Sequence, residues 1–279
     1  MKKYALIGYP LGHTFSPTIH NTAFKHHGID AEYGILEIED SIFETRINEI
    51  KQEDWGGFNV TIPHKQKIIP LLDELDLIAE KIGAVNTIQI KSNGDWKGYN
   101  TDYLGFPKPI HPWLNKIDTC LFLGAGGAAQ AVGFSLLEFS SVKKIVVVDP
   151  IQKNSEALIN KLKSHAEIYY EIIDFKFLDK FNEKFDLIVN MSPVGMGKLK
   201  DQSPISLENI VHKKTIVYDL IYNPAKTLLL KEAETLGLKA INGLPMLIGQ
   251  AEESFRIWTG KGFSDHIIEN LKYSFLNNT

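Results

Sequence analysis

The segment NVTIPHK, residues 59–65, presents polar side chains and a lysine where an apolar strand pattern ends. Pro63 has no N–H to donate to a sheet, so we expect the strand to stop there and leave Lys65 just beyond its end. A lysine held in place can transfer a proton to or from an oxygen atom, and a neighbouring carboxylate can orient it. Asp102, in the segment YNTD, is the candidate carboxylate. Each residue alone is more often a solvated surface group, so the interpretation depends on the combination.

Other polar side chains occupy predicted strand ends and loops in the first third of the chain. They are Thr14, Ser16, Asn59, Thr61 and Asn86. Because the carboxyl ends of parallel strands face one crevice, we expect these side chains to meet there. Hydroxyls, amides, one lysine and one aspartate suit a small polyhydroxylated acid as substrate. The histidines show no metal-ligand spacing, so we expect no metal site.

A second candidate site is the glycine-rich segment LGAGGAA, where Gly124, Gly126 and Ala129 form a G-x-G-x-x-A pattern between a strand and a helix. Such a turn lets the backbone approach a pyrophosphate, and the helix N-terminus supplies N–H donors. The alternative is a tight turn without a ligand. Asp149 ends the next predicted strand, where a carboxylate would accept hydrogen bonds from an adenosine ribose and repel a 2′-phosphate. Asp149 therefore favours NAD over NADP.

Two α/β units would position these residues. In the first third, short apolar strands alternate with helical patterns, which predicts an α/β domain with a mostly parallel sheet. Within it we expect a helix that begins with Ser16 as its N-cap, a strand over Phe58–Ile62 and a helix over Ile68–Ile82. Further on, the strands KKIVVVD, FDLIVN and TIVYDLI show no polar alternation and are separated by helical segments. This pattern predicts a Rossmann-like, doubly wound dinucleotide-binding domain.

The bulk composition narrows the class of protein. The 279 residues are 44% hydrophobic and 23% charged, with a net charge of −4, which is typical of a globular protein without a general basic surface. We therefore expect no nucleic-acid or membrane partner. Cys120 is the single cysteine and lies in an apolar strand pattern, which excludes an intramolecular disulfide. These features favour a cytoplasmic protein. Separately from them, we expect a monomer or a homodimer.

The chain resembles the shikimate dehydrogenase family, including the quinate/shikimate dehydrogenases. The resemblance rests on eight segments in order: IGYPLGHTFSPTIHN, GGFNVTIPHK, GAVNT, YNTD, GAGGAA, NMSPVGM, DLIYNPAKTLLL and GLPMLIGQAEESF. It implies a substrate-binding domain over 1–102, completed by C-terminal helices at about 244–279, and a Rossmann-like NAD(P)-binding domain over 103–243. It also implies the reversible NAD(P)H-dependent reduction of 3-dehydroshikimate to shikimate in aromatic amino-acid and chorismate biosynthesis.

By motif match, the resemblance implies that Lys65 is the catalytic lysine and Asp102 its partner. With these two, the implied substrate-binding residues are Thr14, Ser16, Thr61, Asn86, Tyr222 and Gln250. The implied cofactor-binding residues, to which the reasoning above adds Asp149, are Gly124, Ala125, Gly126, Gly127, Ala128, Asn190, Leu220 and Gly243.

Two departures from the family pattern leave alternatives open. The usual Ser-x-Ser appears as Thr14-Phe15-Ser16, and the added methyl group narrows the pocket for shikimate, quinate or an analogue. The Asn-Arg-Thr/Ser of NADP-dependent members is replaced by Asp149-Pro150-Ile151. The first alternative is therefore an NAD-dependent quinate/shikimate dehydrogenase. The second is a non-catalytic dinucleotide-binding sensor, against which the presence of both Lys65 and Asp102 argues.

Overall fold

The computed structural model describes residues 1–12, 14–174 and 183–278. The chain forms two compact units, the first made of residues 1–105 and 248–278 and the second of residues 106–247. None of the helices among the described residues is both long enough and apolar enough to cross a membrane.

The described residues form twelve strands and nine α-helices. The strands are β1 (Lys2–Gly8), β2 (Ala31–Glu37), β3 (Trp55–Val60), β4 (Glu74–Leu75), β5 (Thr87–Ile90), β6 (Trp96–Tyr99), β7 (Thr119–Leu123), β8 (Lys144–Val148), β9 (Tyr169–Ile172), β10 (Phe185–Asn190), β11 (Val211–Asp219) and β12 (Lys239–Ile241). The helices are α1 (Ser16–His26), α2 (Phe43–Ile50), α3 (Leu77–Ile82), α4 (Asp102–Gly105), α5 (Gly127–Phe139), α6 (Gln152–Lys163), α7 (Leu228–Thr235), α8 (Leu244–Thr259) and α9 (Asp265–Asn278).

The first unit is built on a sheet with strand order β2-β1-β3-β5-β6-β4. The pairings β1–β2, β1–β3 and β4–β6 are parallel, whereas β5 runs antiparallel to both β3 and β6. The antiparallel hairpin turns at SNGD, as that sequence predicts, with Gly94 at a φ of +93°. The predicted α/β domain with a mostly parallel sheet is confirmed.

Both faces of this sheet are covered, which explains the continuous apolar run in β1. Ala5 and Ile7 pack into one apolar cluster, and Tyr4 and Leu6 pack into another. Successive side chains of a strand point to opposite faces, so a strand buried on both sides needs no polar alternation.

The second unit has strand order β12-β11-β10-β7-β8-β9, and all of its pairings are parallel. In chain order this is the 3-2-1-4-5-6 arrangement of a doubly wound dinucleotide-binding fold, so the predicted Rossmann-like unit is confirmed. The order reverses between β7 and β10, and ligands of such sheets bind at the carboxyl ends of the strands at that point.

Three local predictions in the first unit are wrong. The helix predicted over Ile68–Ile82 is instead a 3-10 turn at Ile69–Leu71, strand β4, and then α3. Asp73 causes part of this interruption, because its carboxylate accepts the Trp96 N–H at 2.8 Å and ties the segment to β6. The α1 N-cap is Phe15, not the predicted Ser16, and its side chain makes no capping hydrogen bond.

The third wrong prediction is the end of the strand predicted over Phe58–Ile62. Strand β3 stops at Val60, because the chain turns immediately afterwards and the His64 N–H bonds the Thr61 carbonyl at 2.9 Å. Thr61 therefore follows the strand instead of belonging to it.

Candidate active site

Lys65 and Asp102 form an ion pair in the first unit. Lys65 Nζ lies 2.5 Å from Asp102 Oδ2, and the two side chains are only 17% and 10% exposed. Lys65 is carried by the turns that follow β3, and its carbonyl accepts the Val85 N–H at 2.8 Å. Asp102 begins α4, directly after β6. Two segments 37 residues apart thus bring an ammonium group and a carboxylate into contact.

Asn86 contacts the other oxygen of the Asp102 carboxylate. The Thr101 backbone N–H donates to Asn86 Oδ1 at 2.7 Å, which turns the amide nitrogen the opposite way. Asn86 Nδ2 then donates to Asp102 Oδ1 at 2.9 Å and lies 3.4 Å from Gln250 Oε1. The structure therefore brings four of the predicted site residues, Lys65, Asn86, Asp102 and Gln250, into one hydrogen-bonded group.

The remaining predicted substrate residues lie on three other segments. Thr14 precedes α1, and its hydroxyl is 3.3 Å from that of Ser16, which is buried. Thr61 follows β3, and a Cβ atom added at Gly8 would lie 2.5 Å from the Thr61 methyl group. Only glycine at position 8 allows this close approach of β1 to the segment that carries Thr61. Tyr222 belongs to the second unit, where it follows β11.

Beside the Lys65–Asp102 pair lies a buried polar cluster of which sequence reasoning identified only Asn59. Its members are Tyr33, Asn59, Thr87, Thr101 and Ser254, each no more than 5% exposed. The motifs GAVNT and YNTD contained a signal for Thr87 and Thr101, because in each motif the threonine directly follows an asparagine. Ser254 lies four residues after Gln250 in α8, so both side chains occupy the same face of that helix.

Two histidines in the first unit are buried in packing positions. His20 stacks on Tyr33 with ring centroids 4.3 Å apart, and burial lowers its pKa to about 3. His64 stacks on Phe43 at 4.0 Å, and its Nε2 lies 2.7 Å from the Ile38 carbonyl. His13 lies outside the described residues. Among the residues that are described, no group of three side chains could hold a metal ion.

The glycine turn after β7 has the geometry of a pyrophosphate cradle. Gly124 has a φ of +103°, and a Cβ there would lie 3.0 Å from the Ser192 backbone nitrogen. At Gly126 and Gly127 an added Cβ would meet nothing within 4 Å, so the N-terminus of α5 opens into free space. Ala128 and the fully buried Ala129 continue the helix. Accessible N–H groups at a helix N-terminus suit a phosphate, so the residues present fit a dinucleotide.

Asp149 lies against this turn. Its Oδ2 accepts the Ala125 N–H at 2.9 Å, and its Oδ1 accepts the Ile151 N–H at 2.8 Å and the Asn154 side-chain amide at 3.2 Å. These bonds fix a negative charge beside the glycine turn. A carboxylate there can accept ribose hydroxyls and opposes a second negative group such as a 2′-phosphate.

Asn190, Leu220 and Gly243 are brought together in the second unit. The Leu220 N–H donates to the Asn190 carbonyl at 2.9 Å, and a Cβ at Gly243 would lie 1.9 Å from the Leu220 carbonyl oxygen. The Asn190 side-chain amide donates to Asp219 Oδ1 at 3.0 Å. Sequence reasoning missed Asp219, which is fully buried at the end of β11 and whose pKa burial raises to about 6.

Two family models match the chain. The model described as the shikimate dehydrogenase substrate binding domain matches residues 6–88, and the one described as the shikimate 5'-dehydrogenase C-terminal domain matches residues 243–262. A protein named shikimate dehydrogenase (NADP(+)) from Caldanaerobacter subterraneus subsp. tengcongensis is 37% identical over 274 residues, which cover 97% of this chain and 96% of that protein.

Two similar crystal structures carry ligands. The shikimate 5-dehydrogenase of Listeria monocytogenes, in complex with shikimate and NAD, is 30% identical with a TM-score of 0.86 and covers 97% of this chain and 96% of its own. The shikimate 5-dehydrogenase of Thermus thermophilus, in complex with NADP(H) and shikimate, is 28% identical with a TM-score of 0.84 and covers 99% of this chain and 100% of its own.

Proposed function

This chain belongs to the shikimate dehydrogenase family, and from that premise we propose that it catalyses the reversible NAD(P)H-dependent reduction of 3-dehydroshikimate to shikimate. The observation that carries the proposal is the 2.5 Å contact between Lys65 Nζ and Asp102 Oδ2, with Asn86 bonded to the second carboxylate oxygen. The reaction would serve aromatic amino-acid and chorismate biosynthesis, as the family implies.

Lys65 and Asp102 would assist the proton transfer at the substrate oxygen. Reduction of the ketone leaves an alkoxide that needs one proton, and oxidation of the alcohol releases one. Lys65 Nζ would donate or accept that proton at the substrate oxygen, while Asp102, itself held by Asn86, keeps the ammonium group in place. The nicotinamide, when bound, supplies or accepts the hydride.

The other polar groups would hold the substrate. Thr14 and Ser16 present adjacent hydroxyls that suit the substrate carboxylate. For the hydroxyl and keto groups the candidates are Thr61, Asn86, Tyr222 and Gln250. The first unit would accordingly be the substrate-binding domain, and the second unit would be the cofactor-binding domain.

The second unit would hold the dinucleotide. Residues 124–128 would bind the pyrophosphate, with Asn190, Leu220 and Gly243 nearby. The relative named above is an NADP(+) enzyme and does not support a preference for NAD, whereas the Listeria structure contains NAD. The position of the Asp149 carboxylate is the observation in this chain that favours NAD.

A matrix of steady-state rates on shikimate and quinate, each with NADP and NAD, tests the proposal. We expect the highest kcat/KM on shikimate. A higher kcat/KM on quinate with NAD would instead establish the second candidate, an NAD-dependent quinate/shikimate dehydrogenase, which the position of the Asp149 carboxylate favours. Cofactor binding without turnover of either acid would overturn both and indicate a non-catalytic sensor.

A further inference from the structure

A continuous series of hydrogen bonds connects a buried tyrosine to the Asp102 carboxylate. Tyr33 Oη lies 2.7 Å from Asn59 Oδ1, and Asn59 Nδ2 lies 3.1 Å from Thr87 Oγ1. Thr87 Oγ1 lies 3.0 Å from Asn86 Oδ1, and Asn86 Nδ2 donates to Asp102 Oδ1 at 2.9 Å. Every member of the series belongs to the first unit.

Backbone groups determine the orientation of both amides in the series. Asn59 faces the Asn86 carbonyl at 3.1 Å, and a carbonyl can only accept, so the atom that faces it is the amide nitrogen. Asn59 Oδ1 therefore points to Tyr33, whose hydroxyl must be the donor. The Thr101 N–H orients Asn86 in the same way, since it can only donate.

Ser254 crosslinks the series from α8. Its hydroxyl oxygen lies 3.0 Å from Asn59 Nδ2, 2.8 Å from Thr87 Oγ1 and 3.1 Å from Thr101 Oγ1. Ser254 also donates to the Gln250 carbonyl one helical turn earlier, at 3.0 Å. This serine is fully buried, so the bonds that its one proton and two lone pairs make, three at most at one time, replace contacts with water.

We propose that Tyr33 and Ser254 are positioning residues for the Lys65–Asp102 pair: through Asn59 and Thr87 they hold the Asn86 amide that fixes the Asp102 carboxylate. Neither residue reaches Lys65 or Asp102 directly through the bonds described. The inference rests on the proposed function, because it assigns the two residues an effect on that reaction.

Deleting either hydroxyl leaves a buried partner without its bond. In Tyr33→Phe, Asn59 Oδ1 loses the Tyr33 hydroxyl as its donor, which costs free energy at a buried acceptor and weakens the hold on Asn59, although Nδ2 keeps its acceptors. In Ser254→Ala, Asn59 Nδ2 retains Thr87 and the Asn86 carbonyl as acceptors, so the disturbance is smaller. Both changes remove only a hydroxyl, which preserves the packing of the core.

The chain offers matched controls. The Tyr218 hydroxyl and the Ser155 hydroxyl are buried without a hydrogen-bond partner among the described residues, so Tyr218→Phe and Ser155→Ala remove a buried hydroxyl and no bond. We expect kcat to fall about three- to ten-fold in Tyr33→Phe and about two- to three-fold in Ser254→Ala. The KM for shikimate and for the cofactor should change little, and both controls should keep the wild-type kcat.

The test combines kinetics with hydrogen exchange. Wild type, the two variants and the two controls are assayed well below their melting temperatures, and NMR measures exchange of the Asn86 side-chain amide protons. Faster exchange and a lower kcat in Tyr33→Phe and Ser254→Ala support the proposal. Values of kcat equal to those of the controls overturn it, even where the melting temperature falls.

A double-mutant cycle adds a second criterion. Because both residues act through Asn59, the double variant should lose less activity than the product of the two single losses. If the wild type fails to turn over shikimate, the proposed function fails. The exchange of the Asn86 amide protons then decides the inference alone, and unchanged exchange in both variants overturns it.

Discussion

Both units place an asparagine amide against an aspartate carboxylate, but the other partners of the two carboxylates differ. In the first unit, Asn86 bonds Asp102, and Lys65 contacts the other oxygen at 2.5 Å. In the second unit, Asn190 bonds Asp219, and the other hydrogen bonds that Asp219 accepts also come from neutral groups, the Thr227 hydroxyl at 2.6 Å and the Ile221 N–H at 3.1 Å.

The two carboxylates differ in the charge of their partners. Asp102 has a cation as its partner, and an ammonium group that is already positioned can exchange a proton with a substrate. Asp219 is buried among neutral donors, and burial raises its pKa to about 6. Its carboxylate accepts hydrogen bonds from Asn190, at the end of β10, and from Thr227, the N-cap of α7, and so ties these two elements together. We therefore expect that a charge is needed at position 102 and that a hydrogen-bond acceptor is sufficient at position 219.

The largest expected effect comes from removing the cation. We expect Lys65→Ala to lower kcat by roughly 10²- to 10⁴-fold, with a smaller change in the KM for shikimate, because the proton at the substrate oxygen loses its donor. Lys67→Ala is the matched control, since Lys67 is half-exposed and pairs with Asp40 away from Asp102. Steady-state kinetics of both variants give the answer. A near-wild-type kcat in Lys65→Ala would remove this lysine from the mechanism.

The next effect compares the two carboxylates directly through the same substitution. Asp102→Asn removes the charge opposite Lys65 and should lower kcat by roughly 10- to 100-fold, the value of a hydrogen bond to a charged group. Asp219→Asn keeps an oxygen for Asn190 and Ile221 and turns its amide towards the Thr227 hydroxyl, which can accept. Its kcat should stay within about threefold of the wild type. Equal losses of kcat in the two variants would show that the need for a charge does not distinguish Asp102 from Asp219.

Asp149 allows a separate test of charge in the second unit. Asp149→Ser combined with Pro150→Arg removes the carboxylate at the glycine turn and adds a cation that can bind a 2′-phosphate. We expect the ratio of kcat/KM with NADP to kcat/KM with NAD to rise by about tenfold. The single variant Pro150→Arg separates the added cation from the lost carboxylate. An unchanged ratio in the double variant would rule out Asp149 as the determinant of cofactor choice.

Sequence reasoning succeeded where local patterns carry the information. The positions of the glycine turn after β7 and of Asp149 after β8, and the apolar strands of the second unit, could be predicted because each depends on neighbours in the chain. The cofactor role of Asp149 stays a prediction. The contact of Ser254 with Asn59 joins positions 195 residues apart, and only the docking of α8 creates it. The same holds for Asp219, whose raised pKa arises from complete burial and not from residue type. The helix predicted at Ile68–Ile82 failed because pairing with β6 overrode the local period.

The smallest expected effect is a pH dependence of stability that differs in sign between the units. Burial lowers the pKa of His20 from 6.5 to about 3, so the folded first unit resists its protonation. Between pH 7 and pH 5 the unfolded chain takes up that proton, and the free energy of unfolding should fall by about 2 kcal/mol. The raised pKa of Asp219 acts oppositely, because the folded second unit binds the proton more tightly and gains about 1 kcal/mol over the same range.

Single variants separate these opposing contributions. Denaturant unfolding at pH 5 and pH 7 should show a steeper loss of stability on acidification in Asp219→Asn than in the wild type. In His20→Phe, which keeps an aromatic ring beside Tyr33, the loss should shrink or reverse. Comparing slopes with pH, instead of absolute stabilities, cancels any packing change that the substitution introduces. Equal slopes in all three proteins would mean that burial controls the titration of neither His20 nor Asp219. Asp102 and Asp219 would then differ only in the Lys65 cation beside Asp102.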